Sequence, residues 1–216
     1  MHRIRSERIG IPRPTAHLTL LPQLLREHGI PVFGYLAVLP RPFRVLGTRL
    51  AAHSGAQVTF EGRGAEEILD QAIVRLDQER RGLFFLHWPD ADLAGHSDGW
   101  MSPAYERGAR QLDGALDRLV RATGVLDDPS TVLIACADHG GGGIVANDHC
   151  SRHLEDITIP IVMVGGQVVP ADLDAGTSLV DIPATVPWLL GIPTPTNYAG
   201  RPLTAGLIPS RQPVAA

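Results

Sequence analysis

Asp92 and His96 stand four residues apart in HWPDADLAGHSDGW (87–100), Asp138 and His139 are adjacent in ACADHGGGG (135–143), and His149 lies in NDHCSRH (147–153). Carboxylate oxygens and imidazole nitrogens are the ligands of zinc, manganese or iron, and such a cation needs three or four of them converging. Any one of these motifs is weak evidence. An Asp-His dipeptide is common, and a glycine run usually means only a loop that folds tightly. Three motifs in one chain point to a metal site, provided that the fold brings them together.

The elements that must do this are short. HLTLLPQLLREHG (17–29) has apolar residues near helical spacing and a glycine stop, and VFGYLAV (32–38) has the aromatic and β-branched content of a strand. Residues 40–62 show no clear period and read as an irregular excursion with at most one short element. AEEILDQAIVRLDQERR (65–81) predicts a helix with Ile68, Ala72 and Leu76 inward. LFFLH (83–87), TVLIACA (131–137) and ITIPIVMVGG (157–166) read as buried strands, although Pro160 suits an irregular start. The segment holding Asp92 and His96 reads as a loop. After it, Ser102 and Pro103 form the start of a helix that stops at Gly124. SLVDIPATVPWLLGIP (178–193) offers Asp181 as the cap of a helix that Pro187 should kink or shorten. The proline- and threonine-rich tail beyond it, with 204–216 as its end, is expected to wrap the surface.

Helices alternating with apolar strands argue for one α/β domain over residues 1–216, built on a mainly parallel sheet flanked by helices. Ligands of such sheets sit outside the carboxyl ends of the strands. The 92/96 and 138/139 pairs each begin just past a predicted strand, so the fold should gather them.

With 216 residues, 44% hydrophobic and 19% charged, the chain has the composition of an ordinary globular protein. A formal net charge of −4 gives no reason to expect a nucleic-acid polymer or an anionic membrane as partner. Cys136 and Cys150 make no disulfide framework, and no signal-peptide pattern or membrane span is read, so the cytoplasm is the expected location. Among the other histidines, His87 reads as structural or pocket-lining, His53 as exposed, and His153 with Cys150 is too little for a zinc knot. Trp100 is expected either to line a cleft or to pack under the helix start.

The ordered set PDADLAGHSDGW, a long helix, ACADHGGGG, a His ahead of EDITIPIVMVGG, and SLVDIPATVPWLLGIPTP…GRPL resembles the alkaline phosphatase superfamily, in its type I phosphodiesterase/nucleotide pyrophosphatase branch. The resemblance runs from about Thr15 to Leu203. It implies an alkaline-phosphatase-like fold and two divalent metal ions, zinc first, with manganese or iron as alternatives. Asp92, His96 and His149 would hold one ion; Asp138 and His139 would hold the other. The family's second site also takes an Asp from an opening strand, followed by a Ser or Thr nucleophile. Neither has a counterpart here, since the early hydroxyls Ser6 and Thr15 do not match, so the fold is expected to be incomplete at the N-terminus, the second site incomplete and the nucleophile unassigned. The implied activity is metal-dependent hydrolysis of phosphoric esters, with a small phosphate-ester or nucleotide-like substrate. A truncated, catalytically silent metal-binding domain is the alternative, and a sulfatase or phosphomutase a further one. Without the opening strand the sheet should keep an unpaired edge, which invites self-association or marks the chain as part of a longer protein.

Overall fold

The computed structural model describes residues 19–79 and 81–207. Ser6 and Thr15 therefore lie outside the described residues, as does the end of the tail. Seven α-helices and five strands are described: α1 (Leu21–Glu27), β1 (Val32–Ala37), α2 (Arg41–Ser54), β2 (Gln57–Gly62), α3 (Ala65–Gln78), β3 (Leu83–Leu86), α4 (Asp90–Asp98), α5 (Pro103–Thr123), β4 (Leu133–Cys136), α6 (Leu154–Ile157), β5 (Ile161–Val164) and α7 (Ile182–Leu189). The fold is α/β, with a parallel sheet flanked by helices. None of the described helices is long and apolar enough to cross a membrane.

The parallel sheet has the order β2-β1-β3. Its centre is β1, where Phe33 faces Gln57 of β2 and Phe84 of β3 in register. Apolar residues of α1, α3 and α7 cover it. Leu24, Leu25, Ile30, Val32, Val186 and Ile192 form one buried cluster, and Phe33, Tyr35, Ile68 and Ala72 another. A third joins α3 to α5 through Ala65, Leu69, Ala115 and Leu119 and reaches Leu86 of β3 and Leu133 of β4. One helical layer thus supports the last residue of β3 and the first of β4, the two strands that lead to the Asp/His motifs.

Four sequence expectations need correction. The stretch 40–62 is not irregular: it is α2 followed by β2, a full strand of the parallel sheet. The helix hides its period because Phe43 and Val45 point outward, while Gly47 lies close against the sheet, where a Cβ would stand 2.8 Å from the Phe60 ring. Second, β4 does not continue the parallel sheet. It pairs antiparallel with β5, Leu133 opposite Val164 and Cys136 opposite Ile161, because the chain returns directly beside it after the 137–160 loops. Third, α7 runs through Pro187, and Asp181 is not a simple cap. Ser178 and Asp181 form a capping box around a short 3₁₀ turn at Leu179–Asp181. Fourth, the tail does not lie on the surface as far as Leu207: Leu203 and Leu207 are buried, and the Leu203 N–H donates to Thr185 Oγ1 at 2.9 Å.

Candidate metal centre

The segment read as a loop around Asp92 is the helix α4. It has no apolar stripe to betray it, since Leu93 is 57% exposed and the inward contacts are made by small residues. Gly95 lies against the Trp100 indole, where a Cβ would stand 2.7 Å from the ring. Gly108 of α5 admits the backbone of Asp90 and Ala91, 3.1–3.4 Å from a would-be Cβ. At its start, Asp90 Oδ2 accepts the Ala65 N–H at 2.9 Å, pinning α4 to α3. The helix places Asp92 and His96 at i and i+4, one above the other on the same face, with His96 Nε2 3.4 Å from Asp92 Oδ1.

The glycine run after His139 is packed rather than loose. A Cβ at Gly141 would collide with the Trp100 indole, and one at Gly140 with the Glu155 carbonyl oxygen. At Gly143 a Cβ would stand 2.6 Å from His153, and Gly142 has φ +81°, a left-handed conformation that glycine tolerates without strain. These contacts turn the loop back so that His139 stacks on His149, with ring centroids 3.7 Å apart and planes 12° from parallel. Trp100 stands edge-on to His96 and His149, at 5.2 and 5.7 Å, a contact with the histidines that neither expected role, cleft lining or packing under the helix start, included.

Asp92, His139 and His149 each offer one ligand atom, and these atoms lie within 4.8 Å of one another. The tight group takes one residue from each motif, and so crosses the two-ion division that the family resemblance implies. His96 borders it: its ring lies 5.0 Å from that of His149, and its Nδ1 is 3.1 Å from the Asn147 carbonyl oxygen. Asp138 is more exposed, 3.6 Å from His139 Nε2 and 3.8 Å from His87 Nε2. His87 therefore meets Asp138 across the ends of β3 and β4.

The donor set fits a cation. Asp92 Oδ1 is buried without a hydrogen-bond partner, although imidazole nitrogens of His96 and His139 lie 3.4 and 3.8 Å away. A buried carboxylate oxygen is rarely left so, because an unmet acceptor costs about 1–3 kcal/mol. A zinc ion at about 2.1 Å from each of three ligands would hold them roughly 3.4 Å apart, against separations of up to 4.8 Å among these three.

Two carboxylates that the sequence did not single out shape these loops. Asp148 Oδ1 accepts the N–H groups of His149 and Cys150 at 2.7 and 3.2 Å. The Cys150 thiol and the His149 N–H hold Asp148 below the ordinary carboxylate range, and Asp148 in turn pushes the Cys150 thiol up. Asp156 is buried and is likewise lowered, by the Ser151 hydroxyl first and the Gly143 N–H next. An acidic residue ahead of a predicted strand carries no sequence sign of this role.

Residues 41–177 match the family model described as type I phosphodiesterase/nucleotide pyrophosphatase, a stretch that contains Asp92, His96, Asp138, His139 and His149. The chain belongs to this family. Among curated proteins it is similar to the 2,3-bisphosphoglycerate-independent phosphoglycerate mutase of Gloeobacter violaceus, 26% identical over 85% of this chain and 38% of that enzyme. The mutase of the same name from Laribacter hongkongensis is 30% identical over 64% of this chain and 27% of its own length. A phosphopentomutase of Symbiobacterium thermophilum is 34% identical over 55% of this chain and 28% of its own. The chain thus spans between about a quarter and two-fifths of these relatives.

Proposed function

We propose that this family member carries the metal-binding part of a phosphoryl-transfer centre and acts as a metal-dependent hydrolase of small phosphoric esters, nucleotide-like ones included. The observation that carries the reading is the Asp92 Oδ1 without a hydrogen-bond partner, 3.8 Å from His139 Nε2 and grouped with a ligand atom of His149 within 4.8 Å. Asp92, His139 and His149 would hold a divalent ion, zinc in the first instance, with His96 and Asp138 at its margin. Such an ion supplies Lewis acidity toward a phosphoryl oxygen and a bound water that ionises near neutral pH. The chain's own residues do the rest. The i, i+4 spacing on α4 aims Asp92 and His96 together, Trp100 walls the histidines on one side, and Asp148 fixes the backbone of His149. No residue is assigned as nucleophile.

The named relatives are mutases, and transfer between two positions of one substrate shares this chemistry with hydrolysis. We favour hydrolysis because the centre is open: the side chains of His96 and Asp92 are 44% and 39% exposed, so water can be the acceptor. The test is release of p-nitrophenol from bis-p-nitrophenyl phosphate by metal-free protein before and after zinc or manganese is added. A slow, metal-dependent rate is expected, reduced at least about tenfold by Asp92→Ala, the scale on which metal-site changes act. Equal turnover by the Asp92→Ala protein would refute the assignment.

A further inference from the structure

Asp156 is 3% exposed, and both of its carboxylate oxygens are used. Oδ1 accepts the Gly143 N–H at 2.8 Å; Oδ2 accepts the Ser151 N–H at 3.1 Å and the Ser151 hydroxyl. The main chain beside it adds to the grip, since the Asp156 carbonyl accepts the Gly140 N–H at 2.8 Å and the Glu155 carbonyl the Gly141 N–H at 2.9 Å. Gly140–Gly143 follow His139 directly, and Ser151 is two residues past His149. One buried carboxylate therefore ties together the two loops whose histidines stack at 3.7 Å.

The chemistry of the side chain matters here. Burying a carboxylate costs several kcal/mol unless donors surround it. An amide of the same shape could accept on one side only, and its NH₂ would face either the Gly143 or the Ser151 N–H. Only a group that accepts on both sides joins these loops.

The protein contains a matched case elsewhere. Asp181 is 5% exposed and also takes two backbone N–H groups from separate segments, Ser178 and Arg201, each at 2.8 Å. Its ties hold the start of α7 to the 201–203 segment, away from the Asp/His motifs. Both aspartates are buried clamps, but only one clamps the histidine loops.

We infer that Asp156 is a positioning residue of the metal centre, acting through His139 and His149 by fixing the loop spacing that lets both present nitrogens to Asp92. The inference rests on the reading of Asp92, His139 and His149 as metal ligands. Outer groups that orient metal ligands typically change affinity by about 10–100-fold when removed.

The experiment is calorimetric titration of the metal-free chain with zinc, for the unaltered protein, Asp156→Asn and Asp181→Asn, with thermal unfolding of each. Asp156→Asn is expected to weaken zinc binding by about 10–100-fold at unchanged stoichiometry. Asp181→Asn should lower the unfolding temperature yet leave the affinity within about twofold, because it breaks the same kind of tie at a site remote from the histidines. The imidazole proton resonances of His139 and His149 in the metal-free proteins give a second readout. They should move in Asp156→Asn as the stacked rings part, and stay in place in Asp181→Asn. Unchanged affinity and resonances in folded Asp156→Asn would overturn the inference, as would equal weakening by both variants. Should Asp156→Asn not fold, Ser151→Ala removes one of the three hydrogen bonds to the Asp156 carboxylate and is expected to weaken zinc binding by a few-fold; no weakening would count against the clamp. If the unaltered protein binds no zinc, the ligand reading fails, while the resonances still report whether Asp156 holds the two loops together.

Discussion

The β2-β1-β3 sheet contains the polar strand QVTFEG while the β4–β5 pair is wholly apolar, LIAC against IVMV, yet it is the first that is the better buried. In the first, β1 is hydrogen-bonded on both edges and its Phe33 and Tyr35 are sealed by Ile68 and Ala72 of α3. In the second, β4 and β5 bond only to each other among the described residues, Val162 is exposed, and the loops beyond β4 are fixed by hydrogen bonds to Asp148 and Asp156. The difference teaches where stability and chemistry reside. Apolar burial sets the scaffold, and polar ties set the geometry of the histidines on top of it.

The largest effect that tests this division is a cavity in the first region. Ile68 is fully buried, and Ile68→Ala should cost about 2–5 kcal/mol of stability. Thermal unfolding measures that loss, and zinc affinity of the folded protein should be unchanged. A small loss of stability with a large loss of zinc affinity would reverse the roles of the two regions.

A smaller effect is expected at the strand edges. β3 has a partner only on its β1 side and β4 only on its β5 side among the described residues, and both contain apolar side chains. Such edges template pairing with another chain, so light scattering across a concentration series should show self-association of the 216-residue chain. A monomer at every concentration would mean that these edges are covered.

The legible parts of the molecule are those whose period or caps agree with their packing. Ser102, Pro103 and Gly124 delimit α5 because the Ser102 hydroxyl does accept the Tyr105 N–H and Gly124 does take the left-handed conformation. The Asp and His residues were visible as motifs, and the structure brings all five into one neighbourhood. α2 and α4 were not legible, because each docks through glycine while larger apolar residues such as Phe43 and Leu93 face outward, the inverse of the expected stripe. The antiparallel return of β5 was hidden because LIAC and IVMV carry no mark of strand direction. Asp156 was hidden because a clamp is defined by what it reaches, Gly143 and Ser151, and not by its neighbours in the chain.

The central claim is that Asp92, His139 and His149 form one metal site assembled from three motifs. Calorimetric titration of the metal-free chain with zinc tests it most directly. One tightly bound ion per chain is expected, with any second ion much weaker because Asp138 stands exposed at the margin. His149→Ala should abolish the tight binding. Two equally tight ions, or a tight ion that survives His149→Ala, would contradict the account.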